Sequence, residues 1–543
     1  MTRRLLAVFL VATLTGCATL PVSGPVRIGP DLAPPSDSNS FYYSPATPLD
    51  GATETEILSG FLSAGTAPQN DYSIARQFLD ESLRASWNPS QELLIQKSTP
   101  EITLTDTGTA FVEVEVAGRV DASGRYESLP AGSTRILEYS FTQVSGQIRL
   151  SSAPDVTVVI RPVFDVVFRS YSVYFLDQSK KTLVPELRWF PANPATGTKL
   201  VNALLAGPSD WLKPAVVSAI PTGTTLSLDA VTVQQEVALV DLSSGALVAS
   251  LSDRALMKAQ LVATLSQLPT ITEVAISIER SAQDIPDLPV ALITSATATV
   301  VVLGATGLET PSGLNPDSIP AGESFFSSRE VSNLTLSTTK IAVTTSTGVF
   351  ETELANPGAN VELIDSRSTL VAASYDRLDY LWLVSGSQVS VQNEPIRASW
   401  LTGQAIIAFA LSPEGSRAAL IVDRGATNQV LLTSVIRDQR GTPVELAAPL
   451  VLASELTNPS LVSWFDNVTL SILDSEPDSP SVALVKIGGG TSLVSGLVDA
   501  RALVAAGDGS SMYLLKKTGE LFAFRGSFWS SIGSEVSAIT LLR

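Results

Sequence analysis

The spacing of hydrophobic and polar residues changes several times along the chain, beginning with a short apolar run over 5–14. Arg3 and Arg4 precede this run, and small residues lead from it to Cys17. Basic residues, an apolar core and a small-residue ending are the parts of an export signal. The run has about half of the roughly 20 residues that a membrane-spanning helix needs, so we expect a signal peptide over 1–16 and no permanent span.

Helical spacing and then strand alternation mark the next part of the chain. Thr53 and Glu56 form a capping box that opens one helix, and Asp71 is expected to cap a second helix that runs to residue 88. Period-two alternation predicts antiparallel strands over 102–104, 111–116, 136–141 and 148–150. These elements predict a small α+β domain, and a cone-shaped fold of the NTF2-like kind would suit their order.

Strands and helices alternate in the following part, which predicts a compact α/β sandwich. A long helix is expected to begin at Ser252 and to bury Leu256, Ala259, Val262 and Ala263. The other expected elements are strands over 171–175, 183–189, 237–242 and 274–278, an alternating segment over 226–233 and a helix over 199–205.

Helical periodicity nearly disappears after residue 285, where short strands recur with turn residues between them. So many short strands over about 250 residues favour a β-propeller, because a single sandwich rarely needs that many. The segment 412–415, Ser-Pro-Glu-Gly, resembles the Ser-Pro-Asp-Gly turn of propeller repeats. This turn motif is clear at only one place in the sequence, so the number of blades cannot be predicted from it. The predicted regions are a signal peptide (1–16), a proline-rich tether (17–48), an N-terminal α+β domain (49–165), an α/β sandwich (166–285) and a β-propeller (286–543).

Composition indicates a globular protein and limits its partners. Of the 543 residues, 45% are hydrophobic and only 16% are charged, which is not the composition of a disordered chain. The net charge is −18, and removal of residues 1–16 would make it about −20. A surface this acidic argues against nucleic-acid binding and against electrostatic attachment to anionic lipid.

The chain has no histidine, and Cys17 is its only cysteine. These absences exclude Ser-His-Asp and Cys-His catalysis, histidine- or cysteine-ligated zinc and copper, and any intramolecular disulfide. Carboxylate, Ser-Lys or tyrosine chemistry and oxygen-ligated calcium remain open.

Two segments near the C-terminus could carry chemistry. Asp474, Glu476 and Asp478 alternate as calcium ligands would, but the loop lacks the glycine and glutamate that an EF-hand needs at its sixth and twelfth positions. This favours a solvated acidic loop. The three glycines at 488–490 lack the Gly-Lys-Ser/Thr ending of a phosphate-binding loop, which favours a blade turn.

The remaining candidates are carboxylates and tryptophans. Asp376 and Asp379 could pair as acid and base of a hydrolase, although acidic residues in surface turns are commoner. Asp241 interrupts an apolar run, and hydrogen bonds within the turn at 243–245 would explain it. Four tryptophans either pack within blades, which we favour, or contact a partner: Trp382, Trp400, Trp464 and Trp529. We therefore predict no catalytic residue, no cofactor and no metal site.

The segment 14–17, Leu-Thr-Gly-Cys, resembles a bacterial lipobox. The resemblance implies cleavage between Gly16 and Cys17 and a thioether-linked diacylglyceryl group on Cys17, with acyl chains of the palmitate kind. Two acyl chains form a lasting anchor, whereas one holds a protein only marginally. The expected location is therefore the extracytoplasmic face of the cell membrane. A lone buried cysteine is the alternative.

Five segments at sensible spacing resemble the sporulation and germination module known as GerMN. They are Val-Tyr-Phe-Leu at 173–176, Leu-Leu-Ala-Gly-Pro at 204–208, Ala-Ile-Pro-Thr-Gly-Thr at 219–224, Val-Asp-Leu-Ser at 240–243 and Gln-Leu-Val-Ala-Thr-Leu at 260–265.

Lipobox, tether, α+β domain, GerMN-like module and propeller-like region, in that order, resemble the actinobacterial LpqB lipoproteins over the whole chain. The resemblance implies an accessory lipoprotein, not an enzyme, that contacts the extracytoplasmic domain of the sensor histidine kinase in an MtrA–MtrB two-component system. It implies a role in cell-envelope homeostasis and division. The alternatives are a lipoprotein that binds cell-wall glycan and a carboxylate-dependent envelope hydrolase. The sequence leaves open which surface binds and whether the kinase is activated or inhibited.

Overall fold

The computed structural model describes residues 45–106, 108–288, 290, 292, 298–311, 322–367 and 370–542. Pro45–Arg543 form one compact unit. Arg3, Arg4, Gly16, Cys17 and most of the proline-rich tether lie outside the described residues, so the predicted cleavage and lipidation sites stay predictions.

A seven-stranded sheet forms the N-terminal domain, with α1 (Glu54–Ala64) packed against it. Thr53 and Glu56 make the predicted capping box. The order of the main strands is β6-β5-β3-β1-β7, with β2 and β4 paired to β3, and β1 runs parallel to β7. The strands are β1 (Glu92–Gln96), β2 (Glu101–Leu104), β3 (Thr109–Asp121), β4 (Tyr126–Ser128), β5 (Thr134–Val144), β6 (Gln147–Ser152) and β7 (Val156–Ile160).

The prediction of one helix from Asp71 to residue 88 is wrong. A 3-10 helix (Ala75–Phe78) and α2 (Glu81–Ser86) occupy this stretch, and Asp80 caps α2 through its carboxylate and the Leu83 N–H. Leu79 between them is extended and bridges to Leu150, whose carbonyl accepts a 2.8 Å hydrogen bond from the Asp80 N–H. A pairing with a distant strand therefore breaks the helical pattern.

The middle domain follows α3 (Arg161–Val167) and contains two sheets with two helices. The first sheet has the order β10-β8-β9 and the second has the order β11-β12-β13-β14, in which β12 and β13 are parallel. Its elements are β8 (Phe168–Asp177), β9 (Leu183–Pro191), α4 (Thr196–Ala206), a 3-10 helix (Lys213–Ala215), β10 (Val216–Val217), β11 (Thr232–Gln234), β12 (Val237–Leu242), a 3-10 helix (Ser244–Val248), α5 (Leu251–Leu265), β13 (Glu273–Ile278) and β14 (Ser281–Ala282).

Helix α5 begins earlier than predicted, and the set of residues that it buries differs from the predicted set. Ser250, not Ser252, is its N-cap and accepts a hydrogen bond from the Asp253 N–H. Gln260 is fully buried on this helix. Its side chain accepts a hydrogen bond from the Ala219 N–H and donates one to the Tyr174 carbonyl. A polar residue thus lies on the buried face because two backbone groups satisfy it.

The described residues after 298 form six sheets arranged as the blades of a β-propeller. This confirms the predicted multidomain class, with an N-terminal α+β domain, an α/β middle domain and a C-terminal propeller. The strands and short helices of the described residues are β15 (Thr299–Gly304), β16 (Gly307–Glu309), α6 (Glu323–Phe326), β17 (Asn333–Leu336), β18 (Lys340–Thr345), β19 (Gly348–Glu353), β20 (Glu362–Asp365), β21 (Leu370–Tyr375), β22 (Leu381–Ser385), β23 (Gln388–Val391), β24 (Glu394–Pro395), a 3-10 helix (Ser399–Leu401), β25 (Ile406–Leu411), β26 (Arg417–Asp423), β27 (Asn428–Arg437), β28 (Pro443–Leu446), β29 (Leu450–Leu452), β30 (Pro459–Trp464), β31 (Thr469–Asp474), β32 (Ser481–Lys486), β33 (Thr491–Ser495), β34 (Ala500–Ala505), β35 (Met512–Lys516), β36 (Leu521–Phe524), β37 (Trp529–Gly533) and β38 (Ala538–Leu542).

The last strand closes the propeller. β38 pairs antiparallel with β15 and so completes the blade that the start of the domain began. The innermost strands, β38, β17, β21, β25, β30 and β34, each contact the next around the ring. Closure of this kind leaves only short, protected sheet edges.

Candidate functional site at the domain junctions

Strand β9 contacts both the middle-domain core and the propeller. Residues of a strand with one covered face alternate between buried and exposed, but all nine residues of β9 are buried. Leu183, Val184 and Phe190 belong to the core of the middle domain. The Pro185 carbonyl and the Trp189 indole contact the propeller instead. The strand is therefore covered by two domains at once.

Trp189 contacts all three domains. Its backbone N–H donates to the Gly124 carbonyl of the N-terminal domain at 2.8 Å, and its ring packs on Phe164 of α3 with centroids 4.8 Å apart. Its Nε1–H donates to the Gly488 carbonyl of the propeller at 2.6 Å, and the Lys486 ammonium lies 5.6 Å from the ring centroid.

The turn predicted to resemble a propeller repeat forms the other side of this interface. Gly415 has φ +75°, which favours glycine, and its N–H donates to the Ser412 carbonyl. The Arg417 guanidinium is buried, lies 2.6 Å from the Glu414 carboxylate, and donates to the Pro185 carbonyl of β9 and to the Asn467 carbonyl. It also stacks 4.7 Å from the Trp464 ring centroid.

The Glu414 carboxylate is stabilised by its neighbours. Burial alone would raise its pKa, but the Arg417 charge and hydrogen bonds from Arg417 and Ser412 outweigh burial, so the pKa of Glu414 lies below its usual value. The pair is therefore charged at neutral pH.

A second contact joins the middle domain to the propeller channel. The Gln178 side chain accepts from the Arg437 N–H at 3.2 Å and donates to the Pro214 carbonyl. The Arg437 guanidinium in turn lies 2.7 Å from the Asp376 carboxylate.

The propeller encloses a central channel of about 340 Å³, which Asp376 and Asp379 both line. Asp376 is buried and structurally engaged, since it also accepts hydrogen bonds from the Trp382 indole and from the N–H groups of Leu378 and Tyr380. Asp379 accepts from the Thr338 hydroxyl at 2.9 Å. The two residues share a cavity, and the hydrogen bonds and the ion pair of Asp376 fix a turn. The sequence favoured a surface turn, whereas Asp376 is buried.

Asp241 has a different explanation from the predicted one. Its Oδ1 accepts from the Ser277 hydroxyl at 2.5 Å and from the Arg280 N–H at 2.9 Å. These partners lie on β13 and just after it, not in the turn at 243–245. The sequence interpretation was wrong because it considered only local partners.

The acidic loop and the glycine run also have structural partners. Asp474 accepts from the N–H groups of Thr457 and Asn458, and Glu476 accepts from the Thr457 hydroxyl. Among the described residues, no group of three or more acidic or cysteine side chains could hold a metal. The glycines at 488–490 form the turn between β32 and β33 that faces Trp189, and a side chain at Gly490 would clash with Arg161.

The four tryptophans pack within the propeller. Trp382 and Trp464 are buried, while Trp400 and Trp529 are partly buried and donate to the carbonyls of Leu446 and Ser495. Packing, the interpretation that the sequence favoured, is thus confirmed for these four.

A cleft of about 350 Å³ lies between the N-terminal domain and the middle domain, and residues of both domains line it. Tyr72, Thr157, Trp189, Phe190 and Lys199 are among the residues that line it. Sequence reasoning missed this site, because Lys199 looks like an ordinary polar residue of a helix in the sequence.

Within the described part of the chain, no helix is both long and apolar enough to cross a membrane.

Three family models match the chain. The model described as "Lipoprotein LpqB, N-terminal domain" matches residues 47–165, and "Sporulation and spore germination" matches residues 172–284. "Lipoprotein LpqB beta-propeller domain" matches residues 339–538.

Named relatives match nearly the whole chain. The protein called Lipoprotein LpqB from Bifidobacterium longum is 28% identical over 88% of this chain and 85% of its own length. The one from Cutibacterium acnes is 25% identical over 97% of each chain. Among solved structures, the tandem GerMN domains of the sporulation protein GerM from Bacillus subtilis share 15% identity with a TM-score of 0.20, over 25% of this chain and 56% of that one.

These findings define a multidomain protein in which a GerMN domain joins an N-terminal α+β domain to a β-propeller. The chain belongs to the Lipoprotein LpqB family, as the order of its domains indicated.

Proposed function

We propose that this protein is a membrane-anchored, extracytoplasmic lipoprotein that modulates the sensor kinase of a two-component system of the MtrA–MtrB type. Its role would lie in cell-envelope homeostasis and division. The relatives are named lipoproteins. The Leu-Thr-Gly-Cys segment offers Cys17 as the acceptor of the diacylglyceryl anchor.

The observation that carries this proposal is an exposed apolar tip on the GerMN domain. Leu247 and Val248 end the 3-10 helix that follows β12, Leu251 is the first residue of α5, and their exposed fractions are 50%, 84% and 78%. We interpret these three exposed apolar side chains, close together in the sequence, as part of a surface that a protein partner covers. We call Leu247, Val248 and Leu251 the GerMN tip.

The hydrogen bonds and the ion pair of the Asp376 carboxylate in the propeller channel favour an adaptor function over a hydrolase function. Acid–base catalysis needs carboxyl groups that can exchange a proton with a substrate. The Asp376 carboxylate is held by Arg437, Trp382 and two backbone N–H groups instead. We therefore propose no catalytic role for the propeller channel.

The test is a binding measurement between residues 45–543 and the purified extracytoplasmic domain of the sensor kinase. Val248→Asp places a charge in the centre of the tip, and we expect it to weaken binding by tenfold or more, about 1.4 kcal/mol. Isothermal titration calorimetry measures both affinities.

Leu493→Asp is the matched control, because Leu493 is an apolar residue of the propeller that is 64% exposed. It should leave the affinity unchanged. Absence of association between the wild-type proteins at micromolar concentration would refute the proposal, and equal losses from both variants would show that the tip is not the contact.

A further inference from the structure

The cleft between the N-terminal and GerMN domains has the form of a ligand site. Its volume of about 350 Å³ lies near the lower end of the range for small-molecule pockets, which often occur between domains. Leu93, Val120, Phe168, Trp189 and Phe190 give it a largely apolar and aromatic lining. A small ligand with an apolar body would bury most of its surface there.

Lys199 supplies the charge in this cleft. Its ammonium lies 3.5 Å from the Ser90 hydroxyl and 5.9 Å from the Phe190 ring centroid. No carboxylate of the described residues forms an ion pair with it. Burial lowers the pKa of the Lys199 amine, and the charge of Asp71 opposes this only in part. A partly desolvated ammonium of this kind gains from a bound anion.

The acidic residues around the cleft are already engaged. Glu92 forms ion pairs with Arg119 and Arg135 at 3.4 and 3.1 Å. Asp121 accepts hydrogen bonds from the N–H and hydroxyl of Ser123 and from the Arg125 N–H through one carboxylate oxygen. Lys199 is thus a charged lining group that has no ion-pair partner among the described residues, in a protein whose net charge is −18.

Two buried hydroxyl groups complete the lining. Tyr72 and Thr157 both line the cleft and are almost fully buried. Burial raises the pKa of the Tyr72 phenol, so the group stays protonated and can donate a hydrogen bond. Hydroxyl donors in the same cleft as a cation suit an acidic head group.

We propose that this cleft binds a small amphipathic anion, an apolar body with one carboxylate or phosphate group, and that Lys199 holds the acidic group. The site is distinct from the GerMN tip, so its existence does not depend on the sensor-kinase proposal. A bound molecule would contact both domains and fix the N-terminal domain against the GerMN domain.

The test uses residues 45–543, which form one compact unit, and the fluorescent probe 8-anilinonaphthalene-1-sulfonate, an aromatic body with one anionic group. We expect saturable binding, with a loss of affinity of about tenfold or more in Lys199→Met. N-phenyl-1-naphthylamine has the same aromatic body without the sulfonate, and its affinity should change by less than about twofold. Ala206→Trp, which narrows the cleft, should weaken both probes.

Lys181→Met is the control for loss of an exposed lysine elsewhere in the GerMN domain. Each variant must keep the wild-type circular dichroism spectrum, and a variant that does not is replaced by Lys199→Gln or Asn202→Trp. Displacement of the probe by decanoate or by decyl phosphate supports the proposal, and the more effective competitor identifies the head group. Equal probe affinity in wild type, Lys199→Met and Ala206→Trp, or displacement by neither competitor, would overturn it.

Discussion

The two junctions of the GerMN domain are built differently. Against the propeller, β9 contributes the Pro185 carbonyl and the Trp189 indole, which bond to Arg417 and to the Gly488 carbonyl, and the buried Arg417 charge is paired with Glu414. Against the N-terminal domain, the contact leaves a cleft of about 350 Å³ with the Lys199 ammonium inside it. The first junction bonds the buried, ion-paired Arg417 to β9, whereas the Lys199 ammonium at the second has no carboxylate partner among the described residues.

This difference indicates a division of labour. Hydrogen bonds from Arg417 to the Pro185 carbonyl and from Trp189 to the Gly488 carbonyl hold the GerMN domain against the propeller, because separation would leave these groups without their partners. The GerMN tip is then presented to a partner from a fixed support. The open junction is where a small molecule could alter the position of the N-terminal domain.

Among the substitutions at the two junctions, Arg417→Ala should change the free energy of unfolding most. Removing one member of a buried ion pair typically costs about 3–5 kcal/mol, because the other charge stays buried without its partner. We expect a loss of this order in the free energy of unfolding, measured by urea denaturation with circular dichroism. The double variant Glu414→Gln, Arg417→Met should lose less, since it leaves no buried charge. A loss below about 1 kcal/mol for Arg417→Ala would contradict the role given to the pair.

Trp189→Phe should have an intermediate effect. The variant keeps the aromatic packing on Phe164 but removes the Nε1–H that donates to the Gly488 carbonyl. Leaving a buried carbonyl unpaired costs about 1–3 kcal/mol. Hydrogen exchange should show faster exchange in the turn between β32 and β33. Trp529→Phe removes a comparable indole hydrogen bond between two neighbouring blades, to the Ser495 carbonyl at the far end of β33; it is the control and should leave this turn unchanged.

Lys199→Met should have the smallest effect on the free energy of unfolding, and it should increase stability where the other two substitutions decrease it. The pKa of Lys199 is lowered in the folded protein, so the folded state disfavours its charged form at neutral pH. Removing the charge should therefore raise the free energy of unfolding by up to about 1 kcal/mol. The same urea experiment measures this change. A decrease of more than about 1 kcal/mol would mean that the lysine stabilises the junction and is not held there for a ligand.

The sequence predicted the elements whose determinants are local. The capping box of Thr53 and Glu56 and the turn at Gly415 depend on residues a few positions apart, and both formed as expected. The GerMN domain was recognisable because its segments kept their order. The propeller was predictable as a class because short strands and turns recur throughout it.

Features that depend on distant residues escaped prediction. Leu79 leaves its helical pattern to bridge to Leu150, and Asp241 bonds to a strand that follows the long helix α5. The blade number depended on β38 returning to pair with β15. The cleft around Lys199 needed two domains to come together, and no local pattern signals that event.

The most direct test of the central claim is site-specific photocrosslinking in intact cells. A photoreactive residue at position 248 of the GerMN tip, compared with one at position 493, would be followed by mass spectrometry of the captured molecules. We predict that position 248 captures the extracytoplasmic domain of a sensor kinase and that position 493 does not. Capture of wall fragments alone at position 248, with no kinase, would contradict the adaptor function and favour glycan binding.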